Sequence, residues 1–157
     1  MSAIEQRIKD LSLNLPKPAA PVANYVPYVI TGNHVFVSGQ ISVAADGSFI
    51  KGRLGENLSV AQGQAAAKLC GLNLIAQLKA ACDGELNRVK RIVKIGGFVN
   101  SSFEKTDLDI PKIINGCSDL MVDVFGERGK HARFAVAASS LPLDVAVEID
   151  CIAEIEN

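Results

Sequence analysis

The chain has 157 residues and a formal net charge of −1, from 16 Lys and Arg against 17 Asp and Glu. Hydrophobic residues make up 48%, which excludes a disordered chain, and an aromatic content of 5% without Trp requires a core of Val, Ile, Leu and Ala. The balance of charge lacks the positive footprint of a nucleic-acid binder, and no apolar run approaches the roughly 20 residues of a membrane span.

In chain order, Ser2–Leu11 reads as a short amphipathic helix, with Ile4, Ile8 and Leu11 at helical spacing and Ser2 with Glu5 as a capping box. No signal peptide is read in the polar opening Met1–Asp10, so a cytoplasmic protein is expected. Pro16, Pro18 and Pro21 make the next stretch an extended connector. The expected organisation is a helical extension over 1–14, a Pro-rich connector over 15–24 and one domain over 25–157. Val26–Ile30 and His34–Gln40 flank Thr31-Gly32-Asn33, a hairpin signal. Ala45-Asp46-Gly47 marks a turn and Phe49-Ile50 a short strand.

Ser59–Cys82 is the main helix, opened by a Ser59/Gln62 capping box and closed by Asp83-Gly84. Its expected buried face is Ala61, Ala65, Leu69, Leu72 and Ala76, widened by Ala66, Cys70, Leu74 and Leu78. Arg88–Asn100 is a long central strand, and Gly96-Gly97 within it predicts a bulge or a close backbone approach. The cationic cluster Arg88, Lys90, Arg91 and Lys94 reads as a solvated edge. Asp109–Phe125 is a second helix, with Ile110, Ile113, Ile114, Cys117, Met121 and Val124 on one face. Gly126 stops it.

Ala132–Ser139 and Val145–Ile155 are the last strands, joined through Ser140-Leu141-Pro142-Leu143. Along the first, Arg133, Ala135 and Ala137 alternate with Phe134, Val136 and Ala138. Along the second, Val145, Val147, Ile149 and Cys151 alternate with Ala146, Glu148 and Asp150. The order of elements predicts an α+β fold, a mixed sheet with two helices on one face. The other face is left free and calls for a partner, most cheaply another copy of the chain. Among the four cysteines, Cys70, Cys117 and Cys151 have apolar neighbours and read as small buried hydrophobes. There is no CxxC pair, and His34 and His131 are not at metal spacing.

Chemistry is sought among polar groups on apolar strands. Should the last two strands form a hairpin, Arg133 would fall within a residue or two of Glu148. One reading is a cross-strand ion pair on a wet face, worth about 0.2–1 kcal/mol. The other is a guanidinium fork that grips a substrate carboxylate, beside a carboxylate that handles a water. An electrophilic substrate such as an imine would then need neither a metal nor a nucleophilic side chain. Tyr25, next to the first strand, either closes over a ligand or is a wet strand-start residue. Gly39, in Ser38-Gly39-Gln40, admits a ligand or marks a turn. Asn115, in the second helix, caps a neighbouring element or faces a pocket.

The set Tyr25, Gly32-Asn33, Ser38-Gly39-Gln40, Asn115, Ala132-Arg133, Leu141-Pro142 and Val147-Glu148-Ile149 resembles the RidA/YjgF family of reactive-intermediate (imine/enamine) deaminases. The closer likeness is to a longer branch often labelled endoribonuclease L-PSP. The most specific stretch is ARFAVAASSLPLDVAVEIDCIAEI, and the resemblance runs from Tyr25 to the C-terminus. It implies a chorismate-mutase-like fold and a homotrimer whose sheets line an inner barrel, with clefts at subunit boundaries. It also implies Arg133 as the anchor of a 2-imino acid carboxylate and Glu148 as the group that positions water. Tyr25, Ser38, Gly39, Asn115 and Ala135 would line the cleft. The reaction would hydrolyse 2-imino acids, or their enamine tautomers, to 2-oxo acids and ammonia without a cofactor. Deaminase members carry Pro where this chain has His131 and Cys where it has Ala135, and the Gly126–Lys130 loop is longer by about one residue. His131 is either an aid to protonation or a loop residue. The alternatives are a non-catalytic trimer that binds small carboxylates such as 2-oxo acids, and an endoribonuclease, which the charge balance opposes.

Overall fold

A computed structural model describes residues 2–102, 104 and 107–156. Helix α1 (Ala3–Asp10) is capped by Ser2, whose Oγ accepts from the Glu5 amide at 3.3 Å. The expected capping box is only half made. The Glu5 carboxylate instead accepts from the Leu86 amide at 3.2 Å and ties α1 to the 3₁₀ turn at Leu86–Arg88. Ile4 and Ile8 are buried within the same core cluster as the rest of the molecule.

Strands β1 (Tyr28–Thr31) and β2 (His34–Ile41) form the expected hairpin, with Gly32 in the left-handed region at φ 56°. β1 begins later than expected because the Val26 and Pro27 carbonyls turn to Ser38, accepting from its Oγ at 2.8 Å and its amide at 2.9 Å. Phe49 makes a single bridge with Val43, and no strand forms at Phe49-Ile50.

Helix α2 (Val60–Ala81) carries both halves of its capping box. The Gln62 amide donates to Ser59 Oγ at 3.2 Å, and the Ser59 amide donates to Gln62 Oε1 at 2.8 Å. Its buried face corrects the expected one. Ala66, Cys70, Leu74 and Leu78 are its centre, whereas Ala61 and Ala65 are exposed and Leu69 and Leu72 only half-buried. The reason is that α2 packs against both the sheet and helix α3 (Ile110–Phe125). Glycines thin that contact: a Cβ on Gly71 would stand 2.8 Å from Leu120 Cδ2, and one on Gly116 would fall onto the Gln64 carbonyl. Backbone yields less readily than a side chain, so Gly116→Ala is expected to cost about 1–3 kcal/mol by forcing the helices apart. Urea denaturation measures it, and an unchanged midpoint would show that the crossing relaxes freely.

Strand β5 (Val147–Ile155) runs through the centre of the sheet, β3 (Val89–Asn100), expected there, lies next to it, and β4 (Ala132–Ala138) lies at one edge. The order is β1-β2-β5-β3-β4, parallel between β3 and β4 and antiparallel elsewhere, with α3 as the crossover between the parallel pair. Gly96 and Gly97 serve close approach: a Cβ on Gly97 would meet Ile114 Cδ1 at 2.7 Å, and one on Gly96 would meet Phe134 Cζ at 2.6 Å. The register shifts of β3 lie elsewhere, at Val89/Arg91 and Ile92/Lys94.

The β4–β5 hairpin on which an Arg133–Glu148 pairing is conditional does not form. β3 lies between the two strands, because the short turn after β4 leads into a 3₁₀ turn (Pro142–Asp144) and β5 returns on the far side of β3. Register then sets the faces. Arg133 pairs with Ile95, which pairs with Cys151; Val136 pairs with Phe98, which pairs with Glu148. Arg133 therefore shares the helix-covered face, and Glu148 shares the open one.

That open face is apolar in patches. Phe36, Phe98 and Phe134 remain 44%, 38% and 37% exposed, and Phe98 meets Phe134 edge-on at 5.4 Å. Lys94 Nζ sits 5.5 Å over the Phe134 ring. On the covered side all four cysteines are free and buried, and burial pushes the Cys117 thiol up to about 12. No described helix is long and apolar enough to cross a membrane.

Candidate functional site

The residues singled out in the sequence fall into two groups on opposite faces of the sheet. The first surrounds Arg133. Its Nη1 donates to Ser118 Oγ at 3.0 Å and its Nη2 to the Pro111 carbonyl at 3.3 Å, both on α3. Pro111, Asn115 and Ser118 follow i, i+4, i+7 spacing, so Asn115 lies on the same stripe between the two contacts. Ala135 is two residues along β4 on the same face. Arg133 forms no ion pair with a carboxylate among the described residues. Of its five N–H donors, two are used and three remain for a guest. The ion pair with Glu148 considered above is thus absent.

The second group surrounds Glu148. Val37 pairs with Cys151 and Gln40 with Ile149, so Ser38 and Gly39 together oppose the single residue Asp150. This bulge turns the backbone of Gly39 toward the Glu148 carboxylate. A Cβ at Gly39 would stand 2.5 Å from Glu148 Oε1, so only glycine leaves the carboxylate its place. Gln40 Nε2 donates to the Ser38 carbonyl at 3.0 Å and braces the bulge. Burial, with Asp150 as a second cause, raises the Glu148 carboxyl above its ordinary value.

Glu148 and Gly39 stand between two hollows of about 530 and 430 Å³. The larger is lined by Tyr25, Ser38, Phe49, Leu143 and the connector residues Ala19–Val22. The Gln77 amide, buried in α2, donates to the Ala19 carbonyl at 2.9 Å and so fixes that wall. Leu143 reaches the hollow from a turn in which it and Asp144 both hold left-handed backbone, φ 56° and 57°. Asn100 Nδ2 steadies the turn by donating to Asp144 Oδ1 at 3.2 Å.

Tyr25, Ser38, Gly39 and Glu148 are therefore brought together, and so are Asn115, Arg133 and Ala135. The two groups do not meet within one chain. Sequence reasoning missed Phe49, Leu143 and the connector as lining groups, and Ser118 as the partner of Arg133. The three prolines mark the connector as extended but carry no sign of where it docks. Among the described residues no cluster of His, Cys, Asp or Glu is placed to hold a metal ion.

Comparison with known proteins gives a consistent result. A family model described as "YjgF/chorismate_mutase-like, putative endoribonuclease" matches residues 5–155, beginning within α1. Protein TCP17 of Trypanosoma cruzi is 44% identical over 155 residues, covering 98% of this chain and 95% of its own. A crystal structure of a protein of unknown function from Agrobacterium tumefaciens is also 44% identical, with a TM-score of 0.89 over 98% of this chain and 92% of that one. One from Shewanella oneidensis, described as a "putative endoribonuclease", is 37% identical, with a TM-score of 0.91 over 98% and 100%.

Proposed function

As the chain belongs to the YjgF/chorismate-mutase-like family, we propose that it hydrolyses reactive 2-imino acids to 2-oxo acids and ammonia in clefts between the subunits of a homotrimer. The observation that carries the reading is the split of its candidate residues. A cation unclaimed by any carboxylate among the described residues lies at a sheet edge, and a half-buried carboxylate stands beside a hollow on the opposite face. Each group is half of a site. The exposed phenylalanines around the second supply an apolar surface for another copy to cover.

The chemistry follows from the two halves. Arg133 of one subunit would hold the substrate carboxylate by paired N–H bonds. Glu148 of the next would accept a proton from water as its oxygen bonds to the imine carbon. Glu148 then passes that proton to the carbinolamine nitrogen and takes up the hydroxyl proton as the C–N bond breaks, ammonia leaves and the C=O bond forms. The iminium carbon is already electrophilic, so orientation and proton handling are the protein's share of the work.

The test is release of ammonia and 2-oxobutanoate from freshly generated 2-iminobutanoate. It is expected to exceed the spontaneous rate and to be lost on boiling the protein. Tight binding of 2-oxobutanoate with no acceleration would instead identify a carboxylate-binding protein. Arg133→Lys replaces the planar fork by a point charge and is expected to raise KM by about tenfold, with the smaller effect on kcat. The endoribonuclease label of its relatives finds little support in this chain's charge. A net charge of −1 supplies no overall attraction for a polyphosphate backbone, and RNA retention at low salt is expected to be negligible.

A further inference from the structure

We propose that His131 and Ser118 are positioning residues for the guanidinium of Arg133, acting through a hydrogen-bond chain of fixed direction. The inference rests on Arg133 being the carboxylate anchor. The chain starts at the Gly129 carbonyl, which can only accept. His131 Nδ1 lies 2.6 Å from it and must be the nitrogen that carries the proton. In the neutral ring Nε2 is then an acceptor, and Ser118 Oγ, 2.9 Å away, has to donate its hydrogen to it. With its hydrogen committed, Ser118 presents only lone pairs to Arg133 Nη1, which donates to it at 3.0 Å. In the neutral ring the backbone carbonyl thus decides the tautomer, the tautomer decides the orientation of the hydroxyl, and the hydroxyl holds one arm of the fork. The Pro111 carbonyl holds the other arm at 3.3 Å.

The loop that carries His131 is built to keep this chain in place. Gly129 is buried so tightly against the last turns of α3 that a Cβ there would fall onto the Met121 carbonyl, with the Val122 nitrogen 2.9 Å away. Arg128 Nη1 ties the loop to the start of β3, donating to the Val89 carbonyl at 2.9 Å and the Asn87 carbonyl at 3.3 Å. These contacts give the charged, glycine-rich segment between α3 and β4 a purpose. It fixes an imidazole where a shorter loop would pass from helix to strand.

A held guanidinium meets a carboxylate with less loss of freedom than a swinging one, so the effect belongs in binding. The experiment measures 2-oxobutanoate affinity by calorimetry, and KM with kcat for 2-iminobutanoate hydrolysis. The variants are Ser118→Ala, His131→Phe, His131→Gln, the S118A/H131F double variant and Arg133→Ala. Ser118→Ala and His131→Phe are each expected to weaken 2-oxobutanoate binding about tenfold and to raise KM more than they lower kcat, the scale of one hydrogen bond to a charged group. The double variant should be no worse than either single one, since a broken chain is broken only once. His131→Gln, which can place a carbonyl oxygen near the Nε2 position, should recover most of the affinity.

Ser118→Ala suits a helix, so it keeps the test valid should the loop variants unfold. Additive losses, no loss in Ser118→Ala, or no rescue by His131→Gln when that variant is folded would overturn the inference. Failure of Arg133→Ala to weaken 2-oxobutanoate binding, or of the parent to bind it, would overturn the anchor reading and this inference with it. Weakening by Arg133→Ala alone overturns only the present inference.

Discussion

In the proposed homotrimer, assemblies refolded from an equal mixture of Arg133→Ala and Glu148→Gln subunits are expected to recover about a quarter of the parent's turnover, although each variant alone is expected to retain about a hundredth or less. The expectation comes from β-sheet register. Arg133 aligns across β3 with Cys151, three residues from Glu148 on β5, and the two side chains leave opposite faces. No rotamer carries a glutamate through a sheet. A cleft that uses both groups must take them from two copies. In a random mixture, half of the subunits offer an intact arginine and half of their neighbours an intact glutamate. About one cleft in four then holds both. The variants are refolded together, the assembly mass is checked by light scattering, and ammonia release is compared with that of each homotrimer. A mixture as inactive as its components would place the working arginine and glutamate in one chain, against the register, or show that one of them has no role.

Much of this arrangement is legible in the sequence, and what is hidden has a definite cause. Alternation along ARFAVAA and VEIDCIAEI shows which residues share a face of each strand, because side chains alternate with period two. It says nothing about which strands are neighbours. The Leu141-Pro142 turn invites a hairpin, and the β4–β5 pairing fails because β3 occupies the place between them. Capping boxes show the same limit. Ser59 and Gln62 satisfy each other because both are exposed, whereas Glu5 has the Leu86 amide within reach and abandons its own helix for it. The buried face of α2 is misread for a related reason: small residues are compatible with burial anywhere, and only the packing of α2 against both the sheet and α3 selects Ala66 over Ala65. Ser118 has no signal at all. A serine on the half-exposed stripe of an amphipathic helix is ordinary until Arg133 and His131 are seen on either side of its oxygen.

Glu148→Gln is expected to remove about 10² to 10⁴ of the turnover while raising the melting temperature at neutral pH. Both effects have one origin. Burial beside Gly39, with Asp150 two residues away on the same face, holds the carboxyl above its ordinary value. A carboxyl raised in the folded state favours folding only while protonated. Its contribution is fully present below the unfolded-state value and is lost as pH rises through the folded one. At neutral pH the native chain therefore carries a charge it would rather not bury, and the amide removes it without changing shape. At about pH 3 both proteins are uncharged at this position, and the melting difference should vanish. The same raised carboxyl sets the acid limb of the activity profile. Deprotonation is needed before it can take a proton from water, so turnover should begin to fall at a pH above the range of ordinary glutamates. Melting curves at several pH values, alongside the pH profile of ammonia release, measure the two together. A variant that loses activity yet melts no higher than the parent at neutral pH would mean that Glu148 is compensated in the assembled protein. The strain proposed for it here would then be absent, and its proton chemistry would have to be set by the neighbouring subunit.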